Sequence, residues 1–209
     1  MIKYAPLEYK SRILECFDSI PAQLSEENKK FVYSHVRKGG RGSDYLGCLK
    51  WIEDAGIIRR CYNVDIPELP LDGNKQQDVF KVYMADTGLF ISLLEQGTGW
   101  SILQGHLFGY KGAIFENVLA DIFGKMGRKL YYYHKEGGLE LDFLIRYRGA
   151  CVPVECKAQT GNAKSLRTVM SHPEKYHIYS AVKFGDYNIG QTESTLTLPM
   201  YMAFLLTEY

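Results

Sequence analysis

Apolar residues in the first third of the chain recur at helical spacing. Leu7, Ile13, Leu14 and Phe17 share one face of a helix predicted over residues 7–17, with Pro21 as its stop. Ser25 stands as an N-cap with Glu26 and Glu27 in the first turn, which predicts a second helix to about Val36. The basic glycine-rich turn RKGGRG comes next. Ser43 then caps a third helix to Ala55, with Tyr45, Leu46, Leu49, Trp51 and Ile52 apolar and Gly56 ending it. Two strand-like runs, residues 57–64 and 79–85, flank a loop rich in Pro, Asp, Gly and Gln. Helix, turn, helix and two strands is the order of a winged helix, so residues 1–86 are expected to form such a domain. In that arrangement the helix from Ser43 would enter a DNA groove, with Arg37, Lys38, Arg41, Arg59 and Arg60 meeting phosphates. Asp44, Glu53 and Asp54 on the same helix oppose a phosphate backbone, so docking on a protein stands as the other reading.

The pattern changes after residue 86. A short helix is predicted over residues 87–94, and residues 95–109 show no regular period. KGAIFENVLADIFG (111–124) is an amphipathic helix with Ile114, Phe115, Val118, Leu119, Ile122 and Phe123 apolar. Three strand-like runs come after it, at 129–135, 139–147 and 151–158, joined by turns at Gly137-Gly138 and Arg148–Ala150. A helix over 163–170 leads to a strand over 176–182, and a last helix is predicted from Pro199, docking Tyr201, Phe204, Leu205 and Leu206 on the core. The order αβββαβ implies a mixed sheet: a three-strand meander, then a parallel strand reached through a helix. Residues 87–209 are therefore expected to be a second, α/β domain.

Charged residues interrupt these apolar strands, and this is where chemistry enters. Alternation puts Glu140 and Asp142 on one face of their strand, with Leu141, Phe143 and Ile145 on the other; Glu155 and Lys157 likewise share a face. Carboxylates in buried strands are costly unless they pair or hold a cation, and hard divalent cations take oxygen ligands. Glu116 lies inside the apolar surface of its helix, with Ala113 and Ala120 small enough for close approach to a sheet. The bland alternative is a partly exposed Glu on a helix edge and a structural ion pair between Lys157 and a carboxylate.

Composition narrows the classes. The chain of 209 residues is 46% hydrophobic and 13% aromatic, enough for a substantial core. Its net charge of +1 means that nucleic-acid binding must come from local patches. Five cysteines, with no CxxC spacing, argue against a disulfide framework and a zinc ribbon, and predict a reducing, cytoplasmic setting. Neither a leader nor a membrane-spanning apolar run is evident.

Glu116 on a helix, Asp142 in the second strand and Glu155-Cys156-Lys157 in the third, within αβββαβ order, resemble the PD-(D/E)XK nuclease superfamily of restriction-endonuclease-like folds. That resemblance implies Asp142 and Glu155 as ligands of Mg²⁺ or Mn²⁺, Lys157 as the catalytic lysine and Glu116 as the helix-borne acid. The proline that usually precedes the motif aspartate is replaced by Leu141. The segments IPAQLSEENKKFVYSHV, CLKWIEDAGII, KVYMADTGL, KGAIFENVLA, LELDFLI and VPVECKA together resemble the C-terminal half of an archaeal and bacterial AAA-type ATPase family, which joins a P-loop domain, a winged helix and a nuclease-like domain. No GxxxxGK[ST] occurs here, so the chain is expected to be a fragment or stand-alone counterpart of that half, without ATP binding of its own. The resemblance implies two functions: a metal-dependent nuclease acting on DNA, or a non-enzymatic docking module of an ATPase whose carboxylates serve structure.

Overall fold

The strands of both halves of the chain build one sheet. The computed structural model describes residues 2–26, 29–106, 108–157 and 163–207. Eight strands are hydrogen-bonded in the order β2-β1-β3-β4-β5-β6-β8-β7. They are β1 (Ile58–Val64), β2 (Lys75–Met84), β3 (Leu130–Lys135), β4 (Leu139–Tyr147), β5 (Ala150–Lys157), β6 (Ala181–Gly185), β7 (Gly190–Gln191) and β8 (Thr195–Pro199). The helices are α1 (Leu7–Ser25), α2 (Tyr33–Val36), α3 (Gly42–Asp54), α4 (Thr87–Ser92), α5 (Thr98–Leu103), α6 (Lys111–Lys125), α7 (Lys164–Met170) and α8 (Pro173–Tyr176). Among the described residues, no helix is long and apolar enough to cross a membrane.

The β1–β2 hairpin expected as a wing is present, but it is not free. Cys61, Tyr62 and Asn63 of β1 pair in parallel with Leu130, Tyr131 and Tyr132 of β3. One hydrophobic cluster accordingly runs from Ile13 and Leu49 through Phe80 to Phe123, Phe143 and Phe184. The boundary expected at residue 86 therefore falls inside a continuous sheet and core. From α6 onward the expected order is observed: β3, β4 and β5 form an antiparallel meander, and α7 and α8 lead to β6, parallel to β5. A second cluster, with Leu141, Leu144, Leu166 and Val169, fills the face covered by α7.

Several elements depart from the sequence pattern for identifiable reasons. Helix α1 does not stop before Pro21; it runs to Ser25 with Pro21 buried inside it. The stripe Ile13, Cys16, Ile20 and Leu24 continues past the proline, and burying those side chains outweighs the roughly 3 kcal/mol that an interior proline costs. Ser25 is thus a helix end, not an N-cap, and its hydroxyl donates to the Pro21 carbonyl at 2.7 Å. Glu27, expected in the first turn of a second helix, lies outside the described residues, as does residue 158 at the end of the third expected strand. Residues 29–32 are extended: Lys30 bridges Lys81, the Phe31 N–H donates to the Phe80 carbonyl at 2.8 Å, and helix resumes only at α2. The segment covers part of the outer edge of β2, where unpaired backbone groups would otherwise face water.

At the other end, Pro173 opens the short helix α8, and His177 adopts a left-handed φ of 52°. The strand expected over residues 176–182 therefore begins only at Ala181. The last helix is a 3-10 segment over Met200–Leu205; Leu206 is buried, while Tyr201, Phe204 and Leu205 stay exposed, contrary to the docking expected of them.

Candidate active site

Helix α6 brings the first acidic residue to the sheet. Its buried face is Ala113, Glu116, Asn117, Ala120 and Phe123, with alanines flanking the polar pair as the sequence suggested. Asn117 is the clamp: its Oδ1 accepts from the Met84 N–H at 2.9 Å, and its Nδ2 donates to the Met84 carbonyl at 3.2 Å and to Thr87 Oγ1 at 3.1 Å. Locked to the end of β2 in this way, α6 sets Glu116 against Tyr83, whose hydroxyl donates to Glu116 Oε2 at 3.0 Å. Lys29 reaches the other oxygen at 2.5 Å. Burial by itself would raise the Glu116 pKa, but Lys29 and then Lys81, with the hydrogen bonds from Lys29 and Tyr83, hold it below its usual value.

A bulge in β4 aims the second acid. Tyr131 pairs with Leu144 but Tyr133 with Leu141, so β4 carries an extra residue opposite Tyr132. Leu141 and Leu144 consequently face the same cluster, whereas Phe143 and Ile145 belong to the other. The simple alternation expected for Leu141, Phe143 and Ile145 breaks here, at Asp142.

Strands β4 and β5 are paired from Tyr147↔Ala150 to Phe143↔Val154. Beyond that pair come Asp142 and Glu155, and there the Asp142 side chain takes the place of a strand: its Oδ2 accepts from the Cys156 N–H at 2.8 Å. Glu155, Cys156 and Lys157 are instead paired in parallel with Lys183, Phe184 and Gly185 of β6. A fork thus opens between β4 and β5, with Asp142 on one prong and Glu155 and Lys157 on the other.

Charge is crowded in this fork. Glu155 is 3% exposed; Lys157 lies 2.6 Å from its Oε1, and its buried Oε2 has no hydrogen-bond partner. Burial raises the Glu155 pKa against the pull of Lys157. Asp142 keeps partial solvent contact, yet the protein packed around its carboxyl, then Glu116 and Glu155, push its pKa well above the usual carboxylate range. Lys157, which burial would depress, is raised by Glu155 and Asp142.

The sequence reading missed one member of the cluster. Lys81, in the apolar run VFKVYMA, is 1% exposed, pairs with Glu140 Oε1 at 2.5 Å and lies 4.7 Å from the centre of the Tyr132 ring. Burial would lower its pKa, but Glu116, Glu140 and Asp142 raise it. The signal was available: a lysine inside a buried strand needs a partner as much as a glutamate does. Lys29 had no comparable signal, because only the extended path of residues 29–31 brings it to Glu116. Glu140 pairs with Lys81 and lies 3.4 Å from His134, rather than joining Asp142.

Among the described residues, no group of three or more His, Cys, Asp and Glu side chains is placed to hold a metal ion. The pair Asp142 and Glu155 offers oxygen donors only, one of them buried and unpartnered, and such a donor set fits Mg²⁺ or Mn²⁺, which are commonly bound by one or two carboxylates with water completing the shell.

The five basic residues expected to meet phosphates fall into two groups. Arg37, Lys38 and Arg41 are exposed around the N-terminal end of α3. Arg59 and Arg60 follow its C-terminal end, about 20 Å away at 1.5 Å per residue. Arg60 is committed: its Nε donates to Glu53 at 2.9 Å, and its guanidinium lies over Tyr62 and Phe80.

Residues 1–99 match a family described as a domain of unknown function (DUF8612), and residues 111–201 match a second one, also described as a domain of unknown function (DUF4143). No curated protein and no solved structure matches the chain.

Proposed function

We propose that the fork between β4 and β5 is the active site of a metal-dependent nuclease acting on DNA. The observation that carries this reading is the pair Asp142 and Glu155 at the fork with Lys157 beside them, both pushed toward protonation by burial and by Glu116, and Asp142 by Glu155 as well. Such a pair is unfavourable in isolation and is relieved by a divalent cation. Mg²⁺ or Mn²⁺, when bound there, supplies a water acidified enough to act as nucleophile and neutralises charge on the phosphate. The ammonium of Lys157 opposes the charge that develops on the phosphoryl oxygens during attack. Glu116 is a positioning residue in this scheme: it keeps its charge among Lys29, Lys81 and Tyr83 and directs repulsion at Asp142. DNA is gripped by a winged-helix-like N-terminal part through Arg37, Lys38 and Arg41, and an AAA-type ATPase domain is the partner in the parent architecture.

A second reading has its own support. Lys29–Glu116, Lys81–Glu140 and Lys157–Glu155 are three ion pairs within one cluster, leaving Asp142 as the remaining carboxylate. A network so nearly neutral suits a docking module whose acids serve structure. One experiment separates the two: melting and DNA cleavage measured with Mg²⁺, with Mn²⁺ and in chelator. The nuclease reading expects a saturable stabilisation of about 2.7 kcal/mol at a hundred times the metal Kd, and cleavage lost in Asp142→Asn, Glu155→Gln and Lys157→Ala. Absence of both a metal-dependent shift and cleavage transfers the cluster to the docking reading.

A further inference from the structure

The seam between β1 and β3 carries a second concentration of charge, of the opposite sign. A cleft of about 340 Å³ opens there, lined by Arg59, Arg60 and Lys75 from the first matched region and by Arg128 and Lys129 from the second. Two carboxylates share it. Glu53 is taken up by Arg60, and Asp72 lies 2.9 Å from Lys75 and 3.0 Å from Lys129. Five cations against two anions leave an excess of three positive charges in one cleft. Hydrogen bonds from Lys75, Lys129 and Tyr131 hold Asp72 far below its ordinary pKa, as surroundings rich in cations require.

Arg59 shows that this excess is built in. Its Nε is buried and has no hydrogen-bond partner. The side chain lies against Gly124 of α6, where a Cβ would overlap that Nε and the neighbouring Cδ. Glycine is a poor helix former, costing up to about 1 kcal/mol relative to alanine. At Gly124 that cost seats a guanidinium whose Nε remains unsatisfied. The cleft does not include the fork: it is lined where β3 begins, at Leu130, and Asp142, Glu155 and Lys157 are not among its lining residues.

We propose that this cleft is a binding site for a compact phosphoanion, with Arg59 as its central ligand and Lys75 and Lys129 around it; Arg128 adds positive charge while its guanidinium donates to the Arg146 and Leu206 carbonyls. Phosphate oxygens match what the site carries: an excess of positive charge that two or three negative charges offset, and a guanidinium suited to paired oxygens. The proposal does not rest on the nuclease reading, and it uses neither Asp142 nor Glu155.

Pyrophosphate and inorganic phosphate, titrated at constant ionic strength in chelator and followed by calorimetry and melting temperature, test it. Saturable binding of pyrophosphate is expected, weakened at least tenfold in Arg59→Met and in Lys129→Met. Gly124→Ala is the decisive variant: it leaves every charge in place, improves helix propensity and displaces only the flexible Arg59 side chain, so binding falls while stability holds or rises. The phosphoanion can be free or part of a nucleic-acid backbone, and a short oligothymidylate distinguishes these: competition with pyrophosphate assigns the backbone, and its absence assigns the free anion. Pyrophosphate binding that fails to saturate, or that is equally strong in Arg59→Met and Gly124→Ala, overturns the site.

Discussion

Asp142 concentrates the physical tension of the molecule in one carboxyl group. Burial and the neighbours Glu116 and Glu155 raise its pKa, so between its ordinary value of 3.8 and the raised one the folded protein holds a proton that the unfolded chain has released. The folded state then binds more protons, and stability falls as pH rises through that window before levelling off. Asp142→Asn removes this contribution while keeping an acceptor for the Cys156 N–H. In chelator, the variant should match the parent near the acidic end and exceed it increasingly toward neutral pH, as read by urea unfolding from about pH 4 to about pH 9. A parent-to-variant difference that is flat with pH, or that favours the parent at neutral pH, would remove the repulsive pair from the account. Lys81 and Glu140 make a second, asymmetric case. Lys81 has almost no contact with water, whereas the Glu140 side chain is 31% exposed. Glu140→Ala leaves a buried ammonium without its hydrogen-bond partner and is expected to cost about 3 kcal/mol, whereas Lys81→Met leaves a carboxylate that can turn to solvent and costs less than half of that. Equal losses would show that Glu116 and Asp142 compensate Lys81 without Glu140. The cysteines give a simpler test. All five are free and buried, and burial pushes the Cys16 and Cys151 thiols up to about 12. Labelling by a thiol reagent at neutral pH should therefore proceed only at the rate of unfolding; rapid labelling of the native protein would contradict the burial of these side chains.

At the level of elements, local signals and tertiary contacts compete, and the winner follows from magnitude. Gly56, at φ 71°, ends α3 as its sequence position suggests, because a left-handed residue after the last turn is readily supplied by glycine. Pro21 fails to end α1, because Ile20 and Leu24 are both buried and carry the stripe across it. The bulge opposite Tyr132 is invisible in the alternation of LELDFLI; only pairing with β3 shows that Leu141 and Leu144 share a side. Its consequence falls on the candidate site, since the two residues set opposite Tyr132 are Asp142 and Phe143.

For the whole molecule, the parallel seam between β1 and β3 decides how it folds. One sheet and one main core join residues on both sides of position 86, so unfolding is expected to be a single cooperative transition. Leu49→Ala in α3 and Phe143→Ala in β4, each costing about 2–5 kcal/mol, should shift one common transition as seen by tryptophan fluorescence and by far-ultraviolet dichroism. Two separated transitions, each moved by only one substitution, would restore independent domains.

The sequence alone determined those features whose cause is local. Amphipathic spacing placed α3 and α6, glycine turns placed the β3–β4–β5 meander, and charges in apolar strands marked Asp142, Glu155 and Lys157 as residues needing an explanation. Tertiary structure decided what depends on neighbours distant in the chain. Lys29 meets Glu116 only because residues 29–31 run extended beside β2, and the Arg59 side chain packs on α6 because Gly124, far along the chain, leaves room for it. The expected wing became two strands of a larger sheet because Cys61, Tyr62 and Asn63 find backbone partners in β3. Periodicity along a chain reports which face of an element is buried, but not against what, and in this protein the partner set the charge, the register and the site.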